Sequence, residues 1–192
     1  MKKLFLMLSL IFSIHFGQQA SGQEKDARGY YLVEAEKFTP PIKDLIASFE
    51  GRVAEGFLAS DIYGTEHFLT DYRGKTTFLF FWNLESETGR ILYDKIKIFY
   101  QTQEEKLHVI GMAINKKSSL LQYFGDEKTC FPIIPNGEVF GQMAYGADLG
   151  SPRLFAVDDK GIIVRVIPAA IFLNGSNIPQ ILEETLNATL DQ

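Results

Sequence analysis

Cysteine is the scarcest informative residue in this sequence: its 192 residues include one, Cys130. A lone cysteine closes no disulfide within its own chain, which excludes structural cross-links and any dithiol–disulfide cycle run by the chain alone. Histidine is also scarce, at three copies, and no Cys/His pair has the spacing of a zinc site. No metal and no other cofactor is therefore expected. Basic side chains are outnumbered, 19 against 24 acidic ones, and repulsion from phosphates makes nucleic acid a poor partner. The longest largely apolar stretch, Leu4 to Phe16, covers 13 residues and is broken only by Ser9, Ser13 and His15. About 18 or more are needed to cross a bilayer.

What is present is material for a core. Hydrophobic residues make up 46% and charged ones 22%, with 16 phenylalanines, a composition suited to a globular domain with large buried aromatic side chains. The apolar run near the start is preceded by Lys2 and Lys3 and followed by Ala20-Ser21-Gly22. A positive end, a short apolar stretch and small residues read as a signal peptide cleaved before Gln23. The expected destination is the periplasm or cell envelope, with no membrane span after cleavage. No cysteine stands where a lipid anchor would be attached. Cleavage removes two lysines and no acid, leaving 17 basic against 24 acidic side chains, a formal charge of −7.

Three segments follow: residues 1–22 as signal peptide, 23–50 as a leader, and 51–192 as one domain. The Pro40-Pro41 pair punctuates the leader, and Ile42 to Phe49 has the length of one or two helical turns. Beyond Arg52, strand and helix signals alternate. Gly56 to Tyr63 reads as a strand. Thr76 to Trp82 has no polar alternation, as in a strand buried on both faces. Glu87 to Gln103 carries apolar residues at helical spacing. Leu107 to Ile114 is a second buried strand, and Ser118 to Phe124 suits a short helix. Leu154 to Val157 and Ile162 to Ile167 flank Asp158-Asp159-Lys160-Gly161, a hairpin turn sequence rather than a calcium site. Ile178 to Leu190 closes the chain as a helix. This order predicts an α/β fold, a central mixed sheet covered by helices.

Several short motifs share that order. Phe57-Leu58-Ala59-Ser60-Asp61-Ile62-Tyr63-Gly64 is followed by Leu69-Thr70-Asp71-Tyr72-Arg73-Gly74-Lys75 and Phe78-Leu79-Phe80-Phe81-Trp82. Downstream come Gly150-Ser151-Pro152-Arg153-Leu154-Phe155-Ala156-Val157-Asp158 and Lys160-Gly161. From about Ala54 to the C-terminus the chain resembles the thioredoxin-like TlpA/ResA and AhpC/TSA (redoxin) families. Their motifs are "D-x-x-G", "L-x-D-[YL]-[RK]-G-K", "F-W-A-x-W-C-x-x-C" and "G-V-P-T-T-F-L-I-D-x-x-G". The resemblance implies a thioredoxin-like fold and descent from thiol–disulfide oxidoreductases. Carried over residue by residue, Phe81-Trp82 falls on "F-W", and Ser86 and Gly89 stand at the two cysteine positions. Pro152 falls on the family's cis-proline, so a cis Ser151–Pro152 bond is implied.

The site is thus degenerate, at Trp82, Ser86, Gly89 and Pro152. A serine hydroxyl without an activating base is a poor nucleophile, and no motif brings His67 or His108 beside Ser86. The alternative role for Ser86 is a helix N-cap, with Asn83 competing for it. Cys130 lies in an apolar context, Thr129-Cys130-Phe131-Pro132, which suits a small buried hydrophobe. A peroxiredoxin would want its cysteine after the buried strand, in a "P-x-x-x-T-x-x-C" context that is missing here. The expected function is that of a pseudo-oxidoreductase, a non-catalytic binding or assembly module that takes a protein or peptide partner in an apolar groove around Trp82 and Pro152. The alternative is a thiol-dependent oxidoreductase or peroxidase working through Cys130 or a partner's thiol.

Overall fold

The computed structural model describes residues 40–146, 151–172 and 177–191. The signal segment and most of the leader lie outside the described residues. In chain order the elements are α1 (Pro40–Phe49), β1 (Leu58–Ser60), β2 (Glu66–Phe68), β3 (Thr76–Trp82), α2 (Glu87–Gln103), β4 (Leu107–Ala113), α3 (Lys117–Phe124), β5 (Ile133–Ile134), α4 (Glu138–Tyr145), β6 (Arg153–Val157), β7 (Ile163–Pro168), α5 (Ala169–Phe172) and α6 (Ile178–Leu190). A 3-10 turn, Leu69–Tyr72, joins β2 to β3.

The run Thr-Thr-Phe-Leu-Phe-Phe-Trp of β3 is buried at every position. Such a strand needs neighbours on both edges and cover on both faces, and it has them. It is the central strand of a five-stranded sheet ordered β5-β4-β3-β6-β7. β4 runs parallel to β3, pairing Thr76 with Leu107 through Trp82 with Ala113. β6 runs antiparallel to β3, and β7 antiparallel to β6. The mixed sheet flanked by helices is the predicted architecture.

The period-2 alternation of β3 divides the core. Phe78, Phe80 and Trp82 face α2 and α6, meeting Leu92, Ile96, Leu182 and Leu186. Leu79 and Phe81 face the other way, onto Tyr145 of α4, with Phe49 of α1 packed against the same cluster. α1 is therefore fastened to the domain: the Phe49 ring lies 5.5 Å from Phe155 in an edge contact. Each fully buried large apolar side chain contributes about 1.5–3 kcal/mol by leaving water. α6 is also tied by a buried hydroxyl pair, Thr189 Oγ1 to Thr76 Oγ1 at 2.7 Å.

Side-chain chemistry sets the ends of the short elements. The strand predicted over Gly56 to Tyr63 is shortened to Leu58–Ser60, because Asp61 turns the chain: its Oδ1 accepts the Tyr63 and Thr65 N–H groups at 2.8 and 2.9 Å. The chain then returns as β2, with Leu58 opposite Phe68. The hairpin turn after β6 works in the same way. Asp158 Oδ1 accepts the Lys160 and Ile162 N–H groups at 3.0 and 2.7 Å.

Both edges of the five-stranded sheet are occupied. On β7, Gly51 N–H donates to the Ile163 carbonyl and Ile163 N–H to the Arg52 carbonyl, each at 2.8 Å. The Val166 N–H donates to the Glu50 carboxylate at 3.2 Å. On β5, the Ile133 carbonyl accepts Ile62 N–H at 2.9 Å. No helix among the described residues is long and apolar enough to cross a membrane.

Candidate functional site

The carboxyl end of β3 delivers Trp82 to the mouth of the sheet, and residues 83–86 lead from it into α2. Ser86 has extended backbone and caps α2, its Oγ accepting the Gly89 N–H at 3.2 Å. Its predicted N-cap role is the observed one. Asn83 does not cap the helix. Its Oδ1 accepts the Glu85 N–H at 2.9 Å, and its backbone carbonyl accepts the Ser86 N–H at 3.1 Å, folding the loop tightly.

A second asparagine clamps that loop from β4's far end. Asn115 Oδ1 accepts the Leu84 N–H at 2.7 Å, and Asn115 Nδ2 donates to Asn83 Oδ1 at 3.2 Å. Arg90 Nη1 donates to the Leu84 carbonyl at 2.7 Å. The sequence reading missed Asn115 and Arg90. Their one sequence signal is a polar residue just past a buried strand and a cation one turn into a helix.

This geometry has a chemical consequence. A helix start stabilises a thiolate through free N–H groups and the helix dipole. Here the N–H groups leading into the helix are bonded: Leu84 to Asn115, Glu85 and Ser86 to Asn83, and Gly89 to Ser86. The space for a second sulfur is also filled: a Cβ at Gly89 would lie 2.6 Å from the Asn83 carbonyl oxygen. At Gly89 the backbone therefore leaves no room for a side chain of any kind without movement of Asn83.

Trp82 is a core residue, 2% exposed, stacked on Tyr93 at 5.0 Å and on Phe80 at 5.9 Å. Its buried Nε1–H has no hydrogen-bond partner. Pro152 is buried as well, one step past the Arg153–Phe81 pair and so beside Trp82 in the register. The apolar groove expected around Trp82 and Pro152 is not formed by those two side chains, because the core consumes both.

The implied cis bond at Pro152 is also corrected. There is no cis peptide bond among the described residues, so Ser151–Pro152 is trans. The trans form of an X–Pro bond is favoured by about 0.5–1 kcal/mol unless the surroundings demand otherwise. Arg153 helps define these surroundings, its Nη1 donating to the Tyr145 and Gly146 carbonyls at 3.3 and 2.5 Å.

Cys130 is elsewhere. It lies between α3 and β5, half-buried against the α2 side of the core. Burial pushes its thiol above the ordinary cysteine value, and the charged side chains that act on it are Lys97, Glu127 and Glu104. These are the middle and end of α2 and the loop before Cys130, not the Ser86 end. No base reaches Ser86 either. His67 Nε2 is hydrogen-bonded to Asp61 Oδ2 at 3.1 Å, and its Nδ1 to the Tyr72 hydroxyl at 2.5 Å. His108 pairs with Thr77 near the opposite end of the sheet. Burial and then Lys75 hold His108 below the usual imidazole value. Among the described residues no group of three metal-ligating side chains is assembled.

A mixed sheet in which β6 alone runs antiparallel to β3, and a helix launched from a Trp-ended central strand, defines a thioredoxin-like fold. The AhpC/TSA family profile matches residues 35–166. The chain belongs to the AhpC/TSA family. It is similar to the thiol-disulfide oxidoreductase ResA of Geobacillus thermodenitrificans, with 30% identity over 142 residues, covering 71% of this chain and 77% of that protein. Among solved structures it is similar to the thioredoxin domain of a thiol-disulfide oxidoreductase from Bacteroides vulgatus. There the TM-score is 0.59 and the identity 19%, over 72% of this chain and 98% of the other. It is similar too to peroxidoxin BcpB from Mycobacterium tuberculosis, with a TM-score of 0.61 and 14% identity, over 73% and 97%. These distant structures share the fold.

Proposed function

We propose that this protein is an exported, non-catalytic member of the family, a thioredoxin-like module whose helix end serves binding or assembly instead of thiol exchange. The observation that carries this reading is the closure at Gly89. The backbone of Asn83 leaves no room for a side chain at Gly89, where the family's second sulfur would stand, and the Leu84 and Glu85 N–H groups already have side-chain acceptors in Asn115 and Asn83. Export rests on the signal-like residues 1–22, which lie outside the described residues.

A route through Cys130 finds little support. A thiol raised by burial is mostly protonated near neutral pH, and the thiolate is the nucleophile. The decisive experiment compares the full mature chain with its Cys130→Ser variant in insulin-reduction and peroxide-consumption assays. The reading expects both proteins to match the protein-free blank. Turnover above the blank that disappears in Cys130→Ser would overturn it in favour of a one-cysteine enzyme.

A further inference from the structure

At the end of the sheet opposite Ser86 lies a half-open cavity of about 290 Å3. It sits between the segment after α1, the 3-10 turn and the β6–β7 turn. Thr77 lines it, five residues before Trp82, which places it about 16 Å from the degenerate site at 3.3 Å per residue. Its apolar lining includes Ala54, Leu69 and Val157, all members of the second core cluster.

Arg73 stands at its rim, exposed, and its guanidinium is positioned by packing. A Cβ at Gly161 would lie 3.4 Å from Arg73 Nη2 and 3.5 Å from both Cζ and Nε. Near-equal distances to three atoms mean that the guanidinium lies flat along the turn. Gly161 has φ +90° there, which admits the close approach and is a conformation that favours glycine. Among the described residues no carboxylate is paired with Arg73. A pre-positioned guanidinium with its fork of donors unused matches a carboxylate in two parallel hydrogen bonds.

The other charges narrow the choice of anion. Asp158 and Glu55 line the same cavity. Asp158 is occupied at Oδ1 by two backbone N–H groups, but both acids would repel a multiply charged anion such as phosphate. The volume stands at the lower end for ligand pockets, which start near about 300 Å3. We propose that this cavity binds a small monocarboxylate, with its carboxylate on the Arg73 guanidinium and its apolar body against Ala54, Leu69 and Val157. The proposal is independent of what the Ser86 end does.

Isovalerate titrated into the 15N-labelled mature chain tests it, with isovaleramide and inorganic phosphate as comparisons. Saturable shifts at the Ala54 and Gly161 amides are expected for isovalerate, in the millimolar range, and not for the neutral amide. Arg73→Gln should weaken isovalerate binding about tenfold or more, and Arg73→Lys should fall between, keeping the charge without the fork. Because Arg73 is exposed, both variants should keep the native spectrum. The proposal is overturned if isovalerate gives no saturable shift at those amides, if isovaleramide or phosphate binds as tightly, or if Arg73→Gln binds isovalerate as the native chain does.

Discussion

Gly89 packs against the carbonyl of Asn83 so closely that no side chain fits between them: a Cβ would stand 2.6 Å from that oxygen. The contact joins the first turn of α2 to the loop that feeds it. It sets what substitution at Ser86 or Gly89 can achieve.

Ser86→Cys combined with Gly89→Cys should not recover a dithiol enzyme. Overpacking costs about 1–3 kcal/mol, while replacing a helical glycine returns about 1 kcal/mol of propensity. Gly89→Ala alone should therefore lose about 1 kcal/mol, read from urea denaturation, and the double cysteine variant should reduce insulin no faster than the blank. A double variant with native stability and insulin reductase activity would show that the loop yields easily.

Ser86 is expected to matter as a cap. Ser86→Ala should cost about 0.5–2 kcal/mol and Ser86→Asp almost nothing, since both serine and aspartate accept a first-turn N–H. Equal losses in the two variants would contradict the capping role.

Removing the Asn115 side chain should free the loop. Asn115→Ala strands the Leu84 N–H and undoes the link to Asn83, at a cost of about 1–3 kcal/mol. Hydrogen exchange at the Leu84 amide should accelerate while the amides of β3 stay protected. Unchanged exchange at Leu84 would rule Asn115 out as the clamp.

Stability should fall on mild acidification through His108. Its folded value is held below 6.5, first by burial and then by Lys75, so the native state favours the neutral ring. The resulting stability is present above about 6.5 and declines as the pH drops below it. Native protein should lose more stability between about pH 7 and pH 5 than His108→Gln does. Asp61 adds a second decline. Burial would raise it, but hydrogen bonds led by His67 outweigh that and hold it below 3.8. Its contribution is present above about 3.8 and is lost as the pH falls through the lower folded value. Identical acid profiles for the native chain and His108→Gln would refute the first part.

Cys130 should react slowly. Half-buried and raised by burial, it should modify with a disulfide reagent near neutral pH about tenfold slower than in urea-unfolded protein. Equal rates in the two states would mean an open thiol.

The sequence was most readable where one physical demand dominated a long stretch. The predicted bounds of β3, α2 and α6 coincide with those observed: β3 is apolar without interruption, and the helices repeat Leu92–Ile96 and Leu182–Leu186 on one face. Between Phe124 and Arg153 the reading found no elements. β5 has two residues and α4 eight, too few to show a period. β2 escaped because the Asp61 side chain, not a Gly-rich dipeptide, makes the turn before it. At the site, Ser86 was readable as a cap because capping is local. Asn115 was not, because its partner Leu84 lies 31 residues away. The cis expectation at Pro152 failed because the motif carries the proline and not the conformation of the bond before it, which is trans.

Glu50 and the 51–53 segment along β7, with Ile62 against β5, occupy part of each outer edge of the main sheet. An extended peptide pairing at Ile163, Val166 or Ile133 would first have to displace residues of the chain itself. The same plugs guard against growth of the sheet from molecule to molecule, a hazard of aromatic-rich sheets with bare margins. The Glu50 carboxylate holds one of those contacts, so a strand seeking the β7 margin would have to displace it from the Val166 N–H.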